Sequence, residues 1–290
     1  MTTTIDRRTF LHSTLATTAA LAAGTVSAAE GKPKLKKAVK YAMIKIKGSI
    51  EEKLELVKSL GFLGVEMDSP SNIDKDEAVK ARDKTGIVIH GVIDSIHWRD
   101  TLSDPDEKVR AKGLAGLETA LKDAQVYGAD TALLVPGVVR GNVTYEQCWQ
   151  RSSAEVRKAI PLAEKVGVKI AIEVVWNNFL TKPEQLIEYV DQFKTPYVGA
   201  YFDCSNMIKY GVKPGDWIRQ LGKRMLKFDF KGYSKSRQWV PIGEGDEDWP
   251  DILKALAEVG YNGWATAEVA GGGPKELKDV ADRMNRVLGL

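Results

Sequence analysis

The sequence predicts an α/β protein with a single domain, a (β/α)8 TIM barrel. Short apolar runs alternate with amphipathic stretches eight times along the chain, which is typical of a parallel sheet closed by helices. No low-complexity linker interrupts this alternation. Most of the amphipathic stretches stop at a glycine, the usual end of a helix, at Gly61, Gly86, Gly128, Gly167 and Gly260.

Each predicted strand precedes a predicted helix. The strands are VKYAMIK (39–45), LGVEMD (63–68), GIVIHGVID (86–94), TALLVPG (131–137), VKIAIEVVW (168–176), VGAYFDCSN (198–206), MLKFDFKGY (225–233) and WATAEVA (264–270). A doubly wound open sheet is the rival architecture, but it normally carries a glycine-rich phosphate turn after its first strand. The corresponding turn here is KIKGSI, which lacks that pattern. We therefore favour the closed barrel.

The first 28 residues predict an export signal. Arg7 and Arg8 precede a short apolar stretch that ends in the small residues Val26, Ser27 and Ala28, a pattern typical of a cleavable twin-arginine signal peptide. A signal for the general export route, or a membrane anchor, is the alternative. Cleavage would leave residues 29–290 as the barrel domain, close to the roughly 250 residues typical of this fold. We expect a periplasmic protein without membrane association after cleavage.

Composition excludes several classes of partner and site. Without residues 1–28 the chain has 40 basic and 38 acidic side chains, so no basic surface for nucleic acid is expected. Cys148 and Cys204 are too few for a thiolate metal cage. The sequence does not decide whether the chain forms a homo-oligomer.

The last four apolar runs each end in a carboxylate: Glu173, Asp203, Asp229 and Glu268. The carboxyl ends of barrel strands meet at one mouth, where four acids would repel each other unless a cation or protons neutralise them. We therefore expect all four to bind one divalent metal ion. An all-oxygen set favours Mn²⁺ or Mg²⁺ over Zn²⁺. The alternative is that these acids cap helices or form surface ion pairs.

Polar side chains near the acids are candidate substrate-binding groups. Side chains alternate along a strand, so Asn177 and Lys231 point inward if Glu173 and Asp229 do, whereas Asn206 lies just beyond the end of its strand. Lys231 and Arg237 would in addition offset the negative charge. The candidates are Asn177, Asn206, Lys231 and Arg237.

His97 is a candidate acid/base or substrate contact. It follows the third strand in DSIHWRD, and histidine titrates near neutral pH. Trp98 beside it is a candidate aromatic contact for the substrate. The alternative is that His97 and Trp98 hold a loop together and cover the core. His90, inside the strand, is better explained as a packed residue.

These motifs resemble the sugar phosphate isomerase/epimerase superfamily, the xylose-isomerase-like barrels that include the ketose 3-epimerases. IAIEVVWNNFL is similar to the strand-five motif of the family, YFDCSN to the strand-six motif, and WVPIGEGDEDWPDIL with YNGWATAE to the closing segment. The resemblance implies metal ligands at Glu173, Asp203 and Glu268, and an acid/base role for both glutamates.

Two positions depart from the family pattern. Strand seven of the family usually reads apolar-His-apolar-Lys-Asp, and MLKFDFKGY has Asp229 in place of that ligand histidine. Asn206 stands where many members have a histidine that contacts substrate. The substrate of the ketose epimerases therefore does not transfer directly.

The resemblance implies proton abstraction next to a carbonyl, and export implies a non-phosphorylated sugar. We expect an epimerase or isomerase of a free ketose or related carbohydrate. One alternative is a lyase or deglycosidase that eliminates the aglycone of a 3-keto-glycoside at the same metal site. Another is a non-catalytic sugar-binding barrel. The related apurinic endonucleases are excluded because two histidines after residue 28 cannot build their histidine-rich zinc site.

Overall fold

Eight parallel strands close into a barrel in the computed structural model, which describes residues 32–290. Neighbouring strands follow chain order around the wall, and the last barrel strand closes against the first. The barrel strands are β1 (Lys36–Lys40), β2 (Gly64–Ser69), β3 (Val88–Asp94), β4 (Thr131–Leu134), β5 (Lys169–Glu173), β6 (Val198–Asp203), β7 (Met225–Phe230) and β10 (Trp264–Ala267). The predicted barrel is thus confirmed.

Helices cover the outside of the barrel. They are α1 (Ile50–Ser59), α2 (Lys75–Thr85), α3 (Glu107–Tyr127), α4 (Tyr145–Val166), α5 (Pro183–Asp191), α6 (Cys204–Ile208), α7 (Pro214–Leu221), α8 (Trp249–Glu258) and α9 (Pro274–Leu288). The five glycines predicted to end helices all have φ between 70° and 78°, a backbone conformation that glycine adopts without strain. The apolar side chains of the helices and of the outer strand faces form one continuous core.

The first strand begins and ends earlier than the sequence predicts. Residues 39–45 were expected in the strand, but β1 ends at Lys40 and a short 3-10 helix follows at Tyr41–Met43. The apolar run continues past the strand because Tyr41, Met43 and Ile44 are buried in the core beside it.

Two small elements at the carboxyl ends of the strands were not predicted. The helix α6 starts directly after β6, and a two-stranded hairpin, β8 (Tyr233–Ser234) with β9 (Gln238–Trp239), follows β7. Both lie next to the predicted acidic site. They therefore shape its entrance.

The predicted export signal lies outside the described residues. Within residues 32–290, none of the helices combines the length and the apolar composition needed to cross a bilayer. Cys148 and Cys204 are both buried and unpaired with each other.

Candidate active site: an acidic cluster at the barrel mouth

Four carboxylates converge at the carboxyl end of the barrel. Glu173, Asp203, Asp229 and Glu268 each place an oxygen within 4.8 Å of the others. Asp203 and Asp229 are fully buried, Glu173 is nearly so, and the Glu268 side chain is 41% exposed. The convergence of the four acids, predicted from the sequence, is thus present in the structure.

Strand register explains why these side chains meet. Asp203 of β6 pairs directly with Asp229 of β7, and Asp229 pairs with Thr266 of β10. Glu268 lies two residues beyond Thr266, and its backbone N–H donates to the Phe230 carbonyl at 3.0 Å. Glu173 ends β5, the neighbour of β6. Adjacent strands thus deliver their last inward side chains to one point.

Asp203 also caps a helix, as the alternative interpretation of the acids anticipated. Its Oδ1 accepts the backbone N–H groups of Ser205 (2.8 Å) and Asn206 (2.9 Å) at the start of α6. Its Oδ2 points to the other side and ion-pairs with Lys231. The cap orients the carboxylate, and one oxygen remains directed at the cluster.

Lys231 supplies positive charge inside the cluster. Its ammonium contacts Asp203 Oδ2 and lies 2.6 Å from Glu268 Oε2. Burial opposes the charge on Lys231, but Asp203 and Glu268 outweigh this effect and raise its pKa above the ordinary value. Lys231 therefore remains a cation at neutral pH.

A second ionic group lies one layer deeper in the barrel. The buried Lys40 ammonium is 2.6 Å from Glu66 Oε2 and 2.8 Å from Asp229 Oδ2. The Tyr201 hydroxyl donates to the same Glu66 oxygen at 2.9 Å. Below this layer, Lys227 donates to the His90 carbonyl at 2.9 Å. Lys40 thus connects the floor of the site to Asp229.

The acids differ in their ease of ionisation. Burial, reinforced by the nearby Glu268 charge, raises the pKa of Glu173 well above its ordinary value. Burial also raises the pKa of Asp229, although Lys40 partly opposes it. For Glu268, burial is outweighed by Lys231 and Lys40, which lower its pKa to about 2. The pKa values of the two glutamates are therefore shifted in opposite directions.

A cavity of about 230 Å³ opens above the acids. Its aromatic walls are Trp98 from the loop after β3, Trp176 from the loop after β5, and Trp239 from the hairpin. The Trp176 and Trp239 rings stack with centroids 4.8 Å apart. Asn206 and Lys231 also line the cavity. Such a combination of ring faces and polar groups suits a sugar ring.

His97 lines this cavity as a neutral side chain. Its Nδ1 accepts the Val135 N–H at 3.2 Å, so the ring proton lies on Nε2. Burial lowers the pKa of His97 to about 4. His97 is therefore suited to donate a hydrogen bond from Nε2.

Two predicted substrate contacts lie elsewhere in the described part of the chain. The Asn177 amide donates to the Gly137 carbonyl at 2.7 Å and accepts the Phe179 N–H at 3.1 Å, which fixes the loop after β5. Arg237, at the hairpin tip, donates to the Glu244 carbonyl at 2.5 Å. Neither is among the residues that line the 230 Å³ cavity.

The lining of the cavity includes a cation and two aromatic residues that were not predicted, Lys40, Trp176 and Trp239. Lys40 was placed inside a strand that was expected to continue to residue 45. Its partners Glu66 and Asp229 are distant in sequence, so no local pattern marks it. Trp176 follows β5 and Trp239 follows β7. Their position shortly after strands that carry the acids is the sequence feature that could have identified them as site residues.

The residues present fit a divalent ion. The donor set is four carboxylates with oxygens in one small region, and hard cations such as Mg²⁺ and Mn²⁺ prefer such ligands. Asp229 contributes an oxygen where the family pattern has a histidine, which keeps the set entirely of oxygen. We regard the cluster as a candidate divalent metal site.

Comparison with known proteins agrees with this architecture. The chain is 26% identical to L-ribulose-5-phosphate 3-epimerase UlaE of Escherichia coli O1:K1 over 229 residues, which cover 73% of this chain and 79% of the relative. UlaE of Escherichia fergusonii is 25% identical over the same coverage.

Solved structures share the fold at lower identity. D-psicose 3-epimerase from Clostridium cellulolyticum H10, crystallised with D-tagatose, has a TM-score of 0.71 and 21% identity, covering 88% of this chain and 97% of that one. The 3-keto-D-glucoside 4-epimerase YcjR from E. coli has a TM-score of 0.75 and 15% identity, covering 89% and 100%. The IOLI protein, solved with a zinc atom, has a TM-score of 0.73 and 17% identity, covering 88% and 98%.

The sequence profile of one family matches residues 54–287, most of the described chain. That span contains all four carboxylates and every barrel strand except β1. The chain therefore belongs to the xylose isomerase-like TIM barrel family.

Proposed function

We propose that this protein is a divalent-metal-dependent carbohydrate epimerase or isomerase that transfers a proton at a carbon next to a carbonyl. The observation that carries the proposal is the convergence of four carboxylate oxygens within 4.8 Å at the floor of a sugar-sized cavity. The similarity to L-ribulose-5-phosphate 3-epimerase supports the reaction class.

Glu173, Asp203, Asp229 and Glu268 would hold the ion, most suitably Mn²⁺ or Mg²⁺. When bound there, a divalent ion supplies Lewis acidity that stabilises negative charge on a substrate oxygen. The residues themselves orient the sugar and move the proton.

The two glutamates are the proposed acid/base pair. Glu268 favours the carboxylate form because Lys231 and Lys40 outweigh its burial, so it is suited to remove a proton. Glu173 has an oxygen within 4.8 Å of a Glu268 oxygen, so it is placed to return the proton. His97 Nε2 and the Lys231 ammonium are placed to contact substrate oxygens, while Trp98 offers a ring face.

The chemistry of the mouth supports a substrate without phosphate. Glycine-rich segments often bind phosphate through free backbone N–H groups in this fold. Here the Gly272 N–H donates to the Met43 carbonyl and the Gly273 N–H donates to Glu276 Oε2, both at 2.9 Å. The phosphate named for the relative UlaE would therefore lack these donors.

A second candidate function uses the same site on a 3-keto-glycoside. Proton removal at C2, beside the C3 ketone, would expel the substituent at C1 as the new C1–C2 double bond forms, so the enzyme would be a lyase or deglycosidase. The aromatic mouth formed by Trp98, Trp176 and Trp239 favours this candidate, because it extends apolar surface beyond one sugar ring. The structural neighbour YcjR is named for a 3-keto-D-glucoside.

Incubation in D₂O with free ketoses and with 3-keto-glycosides tests these functions. Deuterium uptake without change of skeleton supports the epimerase or isomerase, and release of an aglycone supports the lyase. Glu268→Gln should abolish exchange while ligand binding persists. A protein that binds these sugars yet never exchanges deuterium would instead be a sugar-binding barrel.

We also propose export through the twin-arginine route. The support is the Arg7-Arg8 pair ahead of a short apolar stretch. Changing both to lysine should retain the protein in the cytoplasm of a bacterial host, as fractionation would measure. Unchanged periplasmic recovery would refute the assignment.

A further inference from the structure

A larger cavity adjoins the acidic site. It has a volume of about 690 Å³ and lies between the segment after the hairpin and helix α9. Lys231, Trp239 and Glu268 line both this cavity and the smaller one above the acids. A ligand held at the carboxylates can thus extend past Trp239 without crossing the protein interior.

The two volumes suit different parts of one molecule. Pockets for drug-sized ligands are typically about 300–1,000 Å³, so the inner cavity of about 230 Å³ falls below that range and the outer one lies within it. The inner cavity therefore suits a single sugar ring. The outer cavity leaves room for a further group of similar or larger size.

The wall of the outer cavity is mostly apolar. Val240, Pro241 and Ile242 line one side, and Val269 and Ala270 line the other. Trp239 stands at the junction with 48% of its surface exposed, although stacking on Trp176 and edge contact with Tyr233 hold its ring in place. An exposed but fixed aromatic ring is a typical platform for a planar or apolar ligand group.

The charged groups of the outer cavity are already paired. Arg283 lies 2.7 Å from Asp279 and 2.9 Å from Glu244, and Glu276 Oε2 accepts the Gly273 N–H. Counting Glu268 and Lys231 as well, three acids and two bases line the cavity. This surface does not attract an anionic group.

We propose that the outer cavity binds an apolar aglycone, so that the substrate is a keto-sugar glycoside rather than a free monosaccharide. This inference rests on the proposed function, because the sugar ring must lie at the carboxylates. The aglycone would pack on Trp239 and between the two apolar sides. The same placement serves a glycoside that is epimerised and one that loses its aglycone.

The experiment compares 3-keto-glucose with phenyl 3-keto-glucoside on the metal-loaded wild-type protein. Deuterium exchange next to the carbonyl is followed for both sugars, together with phenol release for the second. Burial of the phenyl ring should lower KM by about tenfold or more relative to the free sugar. Equal KM values would overturn the aglycone site and leave the proposed function standing. Absence of exchange with both sugars, in a protein that exchanges deuterium into a free ketose, would overturn the aglycone site and leave the proposed function standing. Absence of exchange with free ketoses as well would refute the proposed function itself.

Two variants test whether the aglycone binds in the outer cavity. Val240→Asp places a charge on the apolar wall, and Ala270→Trp fills the cavity from an exposed position. Each should raise KM for the phenyl glucoside by about tenfold while the free sugar is unaffected. Val126→Asp, at an exposed apolar residue of α3, is the matched control and should change neither.

A different occupant would give a different result. If a second copy of the chain covers this face, wild-type protein should sediment as a dimer that Val240→Asp dissociates, with no preference for the phenyl group. That outcome would overturn the proposal. Inhibition by free phenol of wild-type turnover of phenyl 3-keto-glucoside is independent of any variant, because phenol and the aglycone would occupy the same cavity. Its absence at millimolar phenol would also count against the site.

Discussion

Lys231 and a divalent ion would compete for the same oxygens. The Lys231 ammonium contacts Asp203 and Glu268, two of the four proposed ligands. Replacing it by methionine removes a positive charge but keeps the length of the side chain. Lys231→Met should therefore tighten Mn²⁺ binding by about tenfold, the scale of one unit charge removed at close range near a protein surface.

Calorimetric titration of the metal-free protein with Mn²⁺ measures this effect. Lys209→Met is the matched control, because Lys209 lies on the exposed side of Trp176, 4.3 Å from its ring centroid. It should leave the affinity within about twofold, since exposed charges are well screened. Weaker binding in Lys231→Met would show that the lysine supports the metal site rather than competing with it.

Metal affinity should also depend on pH. The pKa values of Glu173 and Asp229 are raised by burial, so at pH values between the ordinary and the raised pKa the metal-free protein retains protons that a metal must displace. Affinity should rise with pH above the ordinary carboxyl range, fall as pH drops through the raised values, and be accompanied by proton release. Calorimetric titrations with Mn²⁺ in two buffers of different ionisation enthalpy give the number of protons released on binding.

Glu173→Gln is the control for the pH dependence. The glutamine amide carries no ionisable proton that the metal could displace. The number of protons released on Mn²⁺ binding should therefore fall by about one. A wild-type affinity that does not change with pH anywhere above the ordinary carboxyl range would contradict the raised pKa of Glu173.

Individual residues show what the sequence could and could not predict. The four acids were predictable because each ends an apolar run, and strand geometry then forces them to one mouth. Asn177 was placed on the correct loop, but its amide is taken up by the backbone of that loop. Arg237 follows Asp229 closely in the sequence, yet it lies in the hairpin and donates a hydrogen bond to the Glu244 carbonyl. Such local hydrogen bonding leaves no periodic trace in the sequence.

At the scale of secondary elements, β1, β2 and β7 share a buried ionic layer. Lys40 at the end of β1 is paired with Glu66 of β2 and with Asp229 of β7, and all three side chains are at most 4% exposed. Lys40→Met would leave two buried acids without their cation. We expect a loss of roughly 3–5 kcal/mol in the free energy of unfolding.

Urea unfolding in the presence of chelator measures this loss. Adding Glu66→Gln to Lys40→Met should recover part of it, because one of the unpaired charges is gone. Lys254→Met breaks an exposed pair with Glu258 and should cost no more than about 0.5 kcal/mol. A Lys40→Met protein as stable as the wild type would mean that the buried pairs contribute nothing net.

The elements also explain why the site was only partly predictable. The barrel was predictable because the local periodicity of apolar residues indicates each strand and helix, and their alternation is typical of this fold. The hairpin of β8 and β9 is too short to show a period, yet it carries Trp239 to the boundary between two cavities. Its position depends on packing against Trp176, a contact between distant parts of the chain.

For the whole molecule, the acidic cluster links metal binding to stability. A ligand that binds the folded state alone stabilises it, by about 2.7 kcal/mol when its free concentration is 100 times Kd. For a barrel of this size, that should raise Tm by roughly 5–10 °C relative to the protein in chelator. Differential scanning calorimetry with Mn²⁺ and with chelator measures the shift.

The Asp203→Asn variant tests whether stabilisation by Mn²⁺ depends on the acidic cluster while the fold is kept. Asparagine caps a helix about as well as aspartate, so α6 and its cap should persist, while the cluster loses one charge and one ligand. The variant should therefore unfold near the chelated wild type and gain little from Mn²⁺. Glu107→Gln, an exposed acid at the start of α3, should retain the full shift. An equal gain in Asp203→Asn and wild type would place the bound ion away from the mouth of the barrel.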